Sequence, residues 1–193
     1  MSKGLKITLI VVAVIAVIVF MAGGWLMRGY NNVVTMDEEV KNRWAQVDNQ
    51  LKRRYDLIPN LVETVKGYAT HERETFEKIA EYRTQYFQQK SIGGKINASN
   101  QLEGVLSRLL MLQESFPQLK ANESFLKLQD SLEGTENRIA VERMRYNESV
   151  KDLNAYTRTV FGGIFAALAR VEKAPYYEVP EAEKAVPKVQ FNK

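Results

Sequence analysis

The chain has no cysteine and a single histidine, His71, and each shortage removes a class of chemistry. Without cysteine there is no disulfide, thiolate metal site, thiol nucleophile or lipidated-cysteine anchor, and the redox compartment leaves no mark. A helical zinc pair needs a second histidine four residues on, where Thr75 stands, and a di-iron bundle needs Glu-x-x-His from two helices. No P-loop, dinucleotide fingerprint or Gly-x-Ser-x-Gly elbow occurs. Neither does strand-like alternation longer than a few residues, nor an internal repeat. Charge of one sign is scarce too: the net charge is only +4, and acids alternate with bases in "DEEVKNR" and "EKIAEYR". No basic stripe is left for phosphates, so nucleic acid is not an expected partner.

The feature most evidently present is apolar. Residues 7–27, "ITLIVVAVIAVIVFMAGGWLM", carry no charge, and at about 1.5 Å per residue their length of roughly 32 Å matches a hydrocarbon core. They read as a retained membrane anchor. The rival reading is a cleaved signal peptide, whose apolar stretch is typically about 7–15 residues; "FMAGG" would be its cleavage region. Lys3 and Lys6 on one side face Arg28, Lys41 and Arg43 on the other, and the balance leans towards the N-terminus inside and the domain outside.

Beyond the anchor the period is helical. Val40, Trp44, Val47 and Leu51, then Ile58, Leu61, Val65 and Tyr68, advance in threes and fours, with Arg54 in the slot between the two sets. Pro59 with Asn60 and Glu63 signals an element boundary near Leu57, either two helices or one kinked helix. The second helix should fade over residues 88–100, where Gly93-Gly94 and a Ser/Asn cluster give turn chemistry. A third should run from about 100 to 115. A long last helix carries Phe125, Leu128, Leu132, Ile139, Tyr146, Leu153, Tyr156 and Val160, with Thr135 and Glu142 on its seam, and weakens at Gly162-Gly163. Residues 171–193 hold three of the five prolines and read as an extended tail. The expected fold is all-α: a transmembrane helix, then an antiparallel up-and-down bundle of three to four long helices, then the tail. As domains these are residues 1–30, 31–170 and 171–193.

Two places are candidates for function. Arg53, Arg54, Asp56, Pro59, Asn60 and Glu63 form either a structural corner or a partner surface: cations suit a helix end and anions a helix start, and loops between rigid elements are also where partners dock. Arg54, on the apolar seam, calls for a buried carboxylate, and Glu142 is the candidate partner. The second place is residues 160–169, "VFGGIFAALA", whose Val160, Phe161, Ile164, Phe165 and Leu168 need apolar contact. Its cover is expected to be the tail, with Tyr176, Tyr177 and Val179 folding back; a second copy or the membrane interface are the alternatives. Glu74, Glu77 and Glu81 share one helix side and could touch a cation, but read more simply as a solvated face balanced by Arg73, Lys78 and Arg83.

The blocks "WAQVDNQLKRRYDLIPNLVETVKGYATHE", "SRLLMLQESFPQLKANESFLKLQDSLEGTENRIAVERMRYNESV" and "PYYEV" closely resemble the bacterial LemA family over nearly the whole chain. This sequence departs after Arg158, with Phe161-Gly162-Gly163 where such proteins carry a proline after the phenylalanine. The resemblance implies a single-pass membrane protein with a helical domain, no established enzymatic activity and no cofactor. The anchor, the long amphipathic helices and the missing catalytic residues favour a membrane-anchored interaction or scaffold protein, and the resemblance implies a seat in the inner membrane of the bacterial cell envelope. Its partner would be another envelope protein or a second copy, and no small-molecule substrate is expected. A lipid-binding or membrane-remodelling module is the alternative, and a metal-dependent enzyme using the Glu-rich faces a third.

Overall fold

The heptad spacing of Val33, Val40, Val47, Arg54 and Leu61, interleaved with Trp44, Leu51, Ile58 and Val65, lays one continuous buried seam along a helix. In the computed structural model, which describes residues 3–69 and 71–178, that helix is α1 (Lys3–Lys66). It is followed by α2 (Arg73–Gln88), α3 (Ile92–Ser115), the single turn α4 (Pro117–Lys120), α5 (Glu123–Thr157) and α6 (Val160–Ala169). No strand occurs among the described residues. The chain divides into two compact units, to both of which α1 and α5 contribute: residues 42–148 with 175–178, and residues 3–41 with 149–174.

The first unit is a four-helix bundle. Asp48 meets Tyr86 and Lys66 lies over Phe76, so numbering rises along α1 as it falls along α2. Asp48 also meets Lys95, and Arg54 meets Glu103, so α3 runs parallel to α1. Trp44 packs edge-on to Tyr146 while Arg54 reaches Glu136, so α5 returns antiparallel. The order is up, down, up, down. The α5 seam is a strict seven-residue repeat of Phe125, Leu132, Ile139 and Tyr146, all buried.

Of the two readings left open near Leu57, the two separate helices are not found: α1 passes through Pro59 as one helix. Proline removes the amide that would bond the carbonyl four residues back, that of Tyr55. Arg83 Nε of α2 donates to that carbonyl at 3.1 Å, so the bond missing within the helix is made between helices. The turn expected over 88–100 is also shorter. Ser91 caps α3 by accepting from the Gly94 amide, and Gly93-Gly94 form its first turn. A Cβ on Gly94 would lie 2.4 Å from Gln89 Oε1, the end of an exposed side chain, and 3.0 Å from the capping Ser91 oxygen.

The second unit contains the apolar run of α1, whose mean hydropathy reaches 2.8 over an 18-residue window that is nowhere buried. Beyond it, α6 packs on α1. The Trp25 ring meets Phe161 and Phe165 with centroids 5.0 and 5.3 Å apart. Gly29 lets Phe165 approach so closely that a Cβ would fall 2.1 Å from the ring. The break before α6 comes at Arg158–Thr159 rather than at Gly162-Gly163: Thr159 caps the helix by accepting from the Gly162 amide at 3.0 Å. A Cβ on Gly162 would lie 2.1 Å from the Tyr156 carbonyl oxygen, so glycine here lets the chain turn tightly into a new helix. Asn154 then holds the segment leaving α6, donating to the Ala174 carbonyl and accepting from its amide at 2.9 and 3.0 Å.

Candidate functional site

Two polar centres lie inside the bundle. Arg54, at a seam position, is buried; its guanidinium holds Glu103 of α3 through both terminal nitrogens and Glu136 of α5 at 2.6 Å. Burial works against its charge, but the two carboxylates outweigh burial and raise its pKa from the ordinary value. Burial lifts the Glu136 carboxyl above its usual range, with Arg54 pulling the other way. The expected partner, Glu142, is not part of this centre. It lies six residues further along α5, about 9 Å in helical rise, and pairs with Arg145 at 2.7 Å.

Six residues earlier on α1, Asp48 accepts from Tyr86 Oη at 2.5 Å and from Lys95 Nζ and Lys52 Nζ at 2.7 Å each. Burial pushes its carboxyl up, but the three donors together outweigh that and leave it below its ordinary value. The Tyr86 hydroxyl moves the opposite way, raised by burial and by the carboxylate it bonds. In each centre the opposite charges are paired with one another.

A third polar cluster grips the segment after α6. Asn147 donates to the Tyr177 carbonyl at 3.0 Å and accepts from its amide at 2.8 Å. Tyr146 donates to the Pro175 carbonyl, Asn100 to that of Glu178, and the Tyr177 hydroxyl meets Ser99 at 2.7 Å. The Tyr177 ring is buried beside Trp44 and under Arg143. Tyr177 therefore anchors within the bundle instead of covering residues 160–169, Tyr176 is exposed, and Val179 lies outside the described residues. The paired asparagines were missed by sequence reasoning; the signal was Asn147 beside the Tyr146 seam position, seven residues before Asn154.

Of the remaining candidates, Arg53, Asp56, Asn60 and Glu63 form an exposed stripe along α1, their spacing of three and four keeping them on one face. Pro59, also exposed, rims a cleft of about 270 Å³ floored by Ile58, Val62 and Ile79. On α6, Phe165 is buried against α1, whereas Val160, Phe161, Ile164 and Leu168 face outward. Glu74 and Glu77 pair with Lys78 and Arg73 on their own helix, and Glu81 accepts from Gln85. Among the described residues no group of three or more His, Asp or Glu side chains converges to hold a metal.

Residues 43–191 match the LemA family. Among curated relatives, Magnetosome protein MamQ 2 of Paramagnetospirillum magneticum is 25% identical, over 92% of this chain and 74% of its own length. Protein LemA of Metamycoplasma hominis is 21% identical over 80% of this chain and 71% of its own. Magnetosome protein MamQ of Magnetospirillum gryphiswaldense is 24% identical over 80% and 65%. With its long apolar N-terminal helix the molecule is a membrane-associated helical protein, and the chain belongs to the LemA family.

Proposed function

We propose that the protein is a membrane-anchored scaffold, held in the bacterial inner membrane by the apolar run of α1 with the bundle on the outer face. On this reading it offers the α1–α2 side of the bundle to another envelope protein or to a second copy. The observation that supports this reading is the cleft between α1 and α2. Its floor of Ile58, Val62 and Ile79 is apolar, its rim carries Pro59, Glu63, Lys66 and Arg83, and the exposed stripe of Arg53, Asp56 and Asn60 runs beside it. An apolar floor with a charged rim is the anatomy of a protein-binding surface. The polar centres inside the bundle, by contrast, hold each of their charges against a partner, which is the arrangement of structural ion clusters rather than of a reacting site.

The test is site-specific photocrosslinking in intact membranes. A photoreactive residue at Asn60 or Val62 should give one discrete adduct, abolished by Ile79→Arg in the cleft floor, while the same group at Glu148 gives none. Equal, diffuse labelling at all three positions would overturn the reading. Protease access in intact against permeabilised cells checks the orientation: cleavage of the bundle only after the membrane is broken to the cytoplasm would reverse it.

A further inference from the structure

The ten residues of α6 include no charge, and the helix is apolar on every side. Its inner face, Gly162, Phe165 and Ala166, is buried. Its outer face leaves Val160 79%, Phe161 58%, Ile164 52% and Leu168 64% exposed, an arrangement stable only where the surroundings of that face are themselves apolar.

Three occupants are conceivable, and the residues discriminate among them. The described tail is engaged elsewhere: Ala174 is clamped by Asn154, and Tyr177 by Asn147 and Ser99. A second copy would gain little, since four side chains on a ten-residue helix fall far short of the roughly 800 Å² per partner that a stable interface buries. The lipid surface fits. Trp25 and Gly29 of α1 lie under α6, on either side of Arg28, where the uncharged run ends. That is the level at which a span leaves hydrocarbon, and tryptophan marks such boundaries. At about 15 Å, α6 is too short to cross a bilayer, and it is bracketed by exposed Arg158, Arg170 and Lys173, cations at the height of the headgroups.

We propose that α6 is an interfacial helix, its Val160, Phe161, Ile164 and Leu168 face sunk into the acyl-chain boundary of the leaflet from which α1 emerges, with its flanking cations on anionic headgroups. The protein then grips its membrane twice, by a span and by a helix lying beside the span's end.

The absence of cysteine makes the test direct. Leu168→Cys and Ile164→Cys, with Glu148→Cys as the solvent control, are labelled with an environment-sensitive fluorophore in the full chain and reconstituted into phosphatidylcholine–phosphatidylglycerol vesicles. At 164 and 168 the expected result is blue-shifted emission, quenching by nitroxide lipid several-fold stronger than at 148, and several-fold weaker quenching by aqueous iodide. Iodide quenching equal to the control, in protein that floats with the vesicles, would sink the interfacial helix while leaving the anchor and the scaffold reading intact. Shielding from both quenchers would mean a protein cover, and shielding lost on diluting the protein in lipid would mean a second copy. Either result overturns the proposal.

Discussion

Replacing Arg54 by alanine removes the cation bonded to both Glu103 and Glu136 and leaves two carboxylates facing each other on α3 and α5. Truncating one member of a buried ion cluster costs about 3–5 kcal/mol, because the remaining charge is stranded rather than because the pair itself was worth that much. Here the carboxylates keep some water, with side-chain exposures of 24% for Glu103 and 40% for Glu136, so the low end, about 3 kcal/mol, applies. In a domain of this size that is roughly a 10 °C fall in Tm. Arg53→Ala, one residue away on the exposed face, should change stability by less than about 0.5 kcal/mol. The measurement is urea unfolding of the full chain in detergent, in a Trp25→Phe background so that Trp44 reports on the bundle, with the m-value checked for constancy. The sign with pH is also determined. Burial already lifts the Glu136 carboxyl and Arg54 opposes that lift; without Arg54 the lift is unopposed, so the penalty is full at neutral pH and shrinks as pH falls through the raised folded value. Adding Glu103→Gln and Glu136→Gln to Arg54→Met should recover most of the loss. Equal and small losses for Arg53→Ala and Arg54→Ala, or a penalty indifferent to pH, would refute this account of the cluster.

Other perturbations probe other joints of the fold. Arg83→Ala should cost about 1–2 kcal/mol by orphaning the Tyr55 carbonyl, but almost nothing in a Pro59→Ala background, where α1 makes that bond itself; a double-mutant cycle reads the difference as coupling of about 1 kcal/mol. Asp48 has a depressed folded pKa, so its contribution is present above the ordinary carboxylate range and is lost as pH falls through the lower folded value; Asp48→Asn should flatten that part of the stability–pH curve. Gly29→Ala places a methyl inside the Phe165 ring position and should cost about 1–3 kcal/mol, read as displaced Trp25 fluorescence. Arg170 ends α6 at φ 55°, a left-handed position in which glycine is favoured, so Arg170→Gly should stabilise the helix end by up to about 1 kcal/mol in thermal melts.

The helices were legible in the sequence because the seam is a local pattern: the sevens of α5 and the threes and fours of α1 depend only on residues within a turn or two of each other. What misled was chemistry completed from a distance. Pro59 leaves two helices and one kinked helix open when read locally, and the donor that stands in for its missing amide, the Arg83 guanidinium, is 24 residues away. Gly93-Gly94 announces a turn, and only the Ser91 cap on the Gly94 amide shows that a helix begins there. Arg54 was legible as a buried cation in need of a carboxylate, but the period of α5 cannot say which of its glutamates lies level with residue 54. The clamp on the tail left the weakest trace, since asparagine on a helix is an ordinary surface residue until an extended backbone lies against it.

A bundle built on heptads carries an ambiguity that apolar residues cannot resolve. Sliding one helix by seven residues past its neighbour still sets valine or leucine opposite valine or leucine. The polar groups in this bundle break that degeneracy. Arg54 satisfies carboxylates only when α1, α3 and α5 all stand at one height, Asp48 collects its donors only when α2 and α3 do, and Arg83 reaches the vacant carbonyl at Tyr55 in a single register of α2 on α1. Each buried charge is a poor source of net stability compared with a well-packed apolar side chain. Its worth is uniqueness, because every slipped register strands at least one charge or carbonyl in the core. On the proposed scaffold role that trade is the useful one: the cleft beside Pro59 and the stripe from Arg53 to Glu63 keep one shape only if α1 and α2 keep one register. Substituting Arg54 and its two carboxylates together by apolar residues should therefore preserve or raise stability while broadening the amide spectrum of the bundle, and an equally sharp spectrum in that variant would show that the ion cluster does not specify the register.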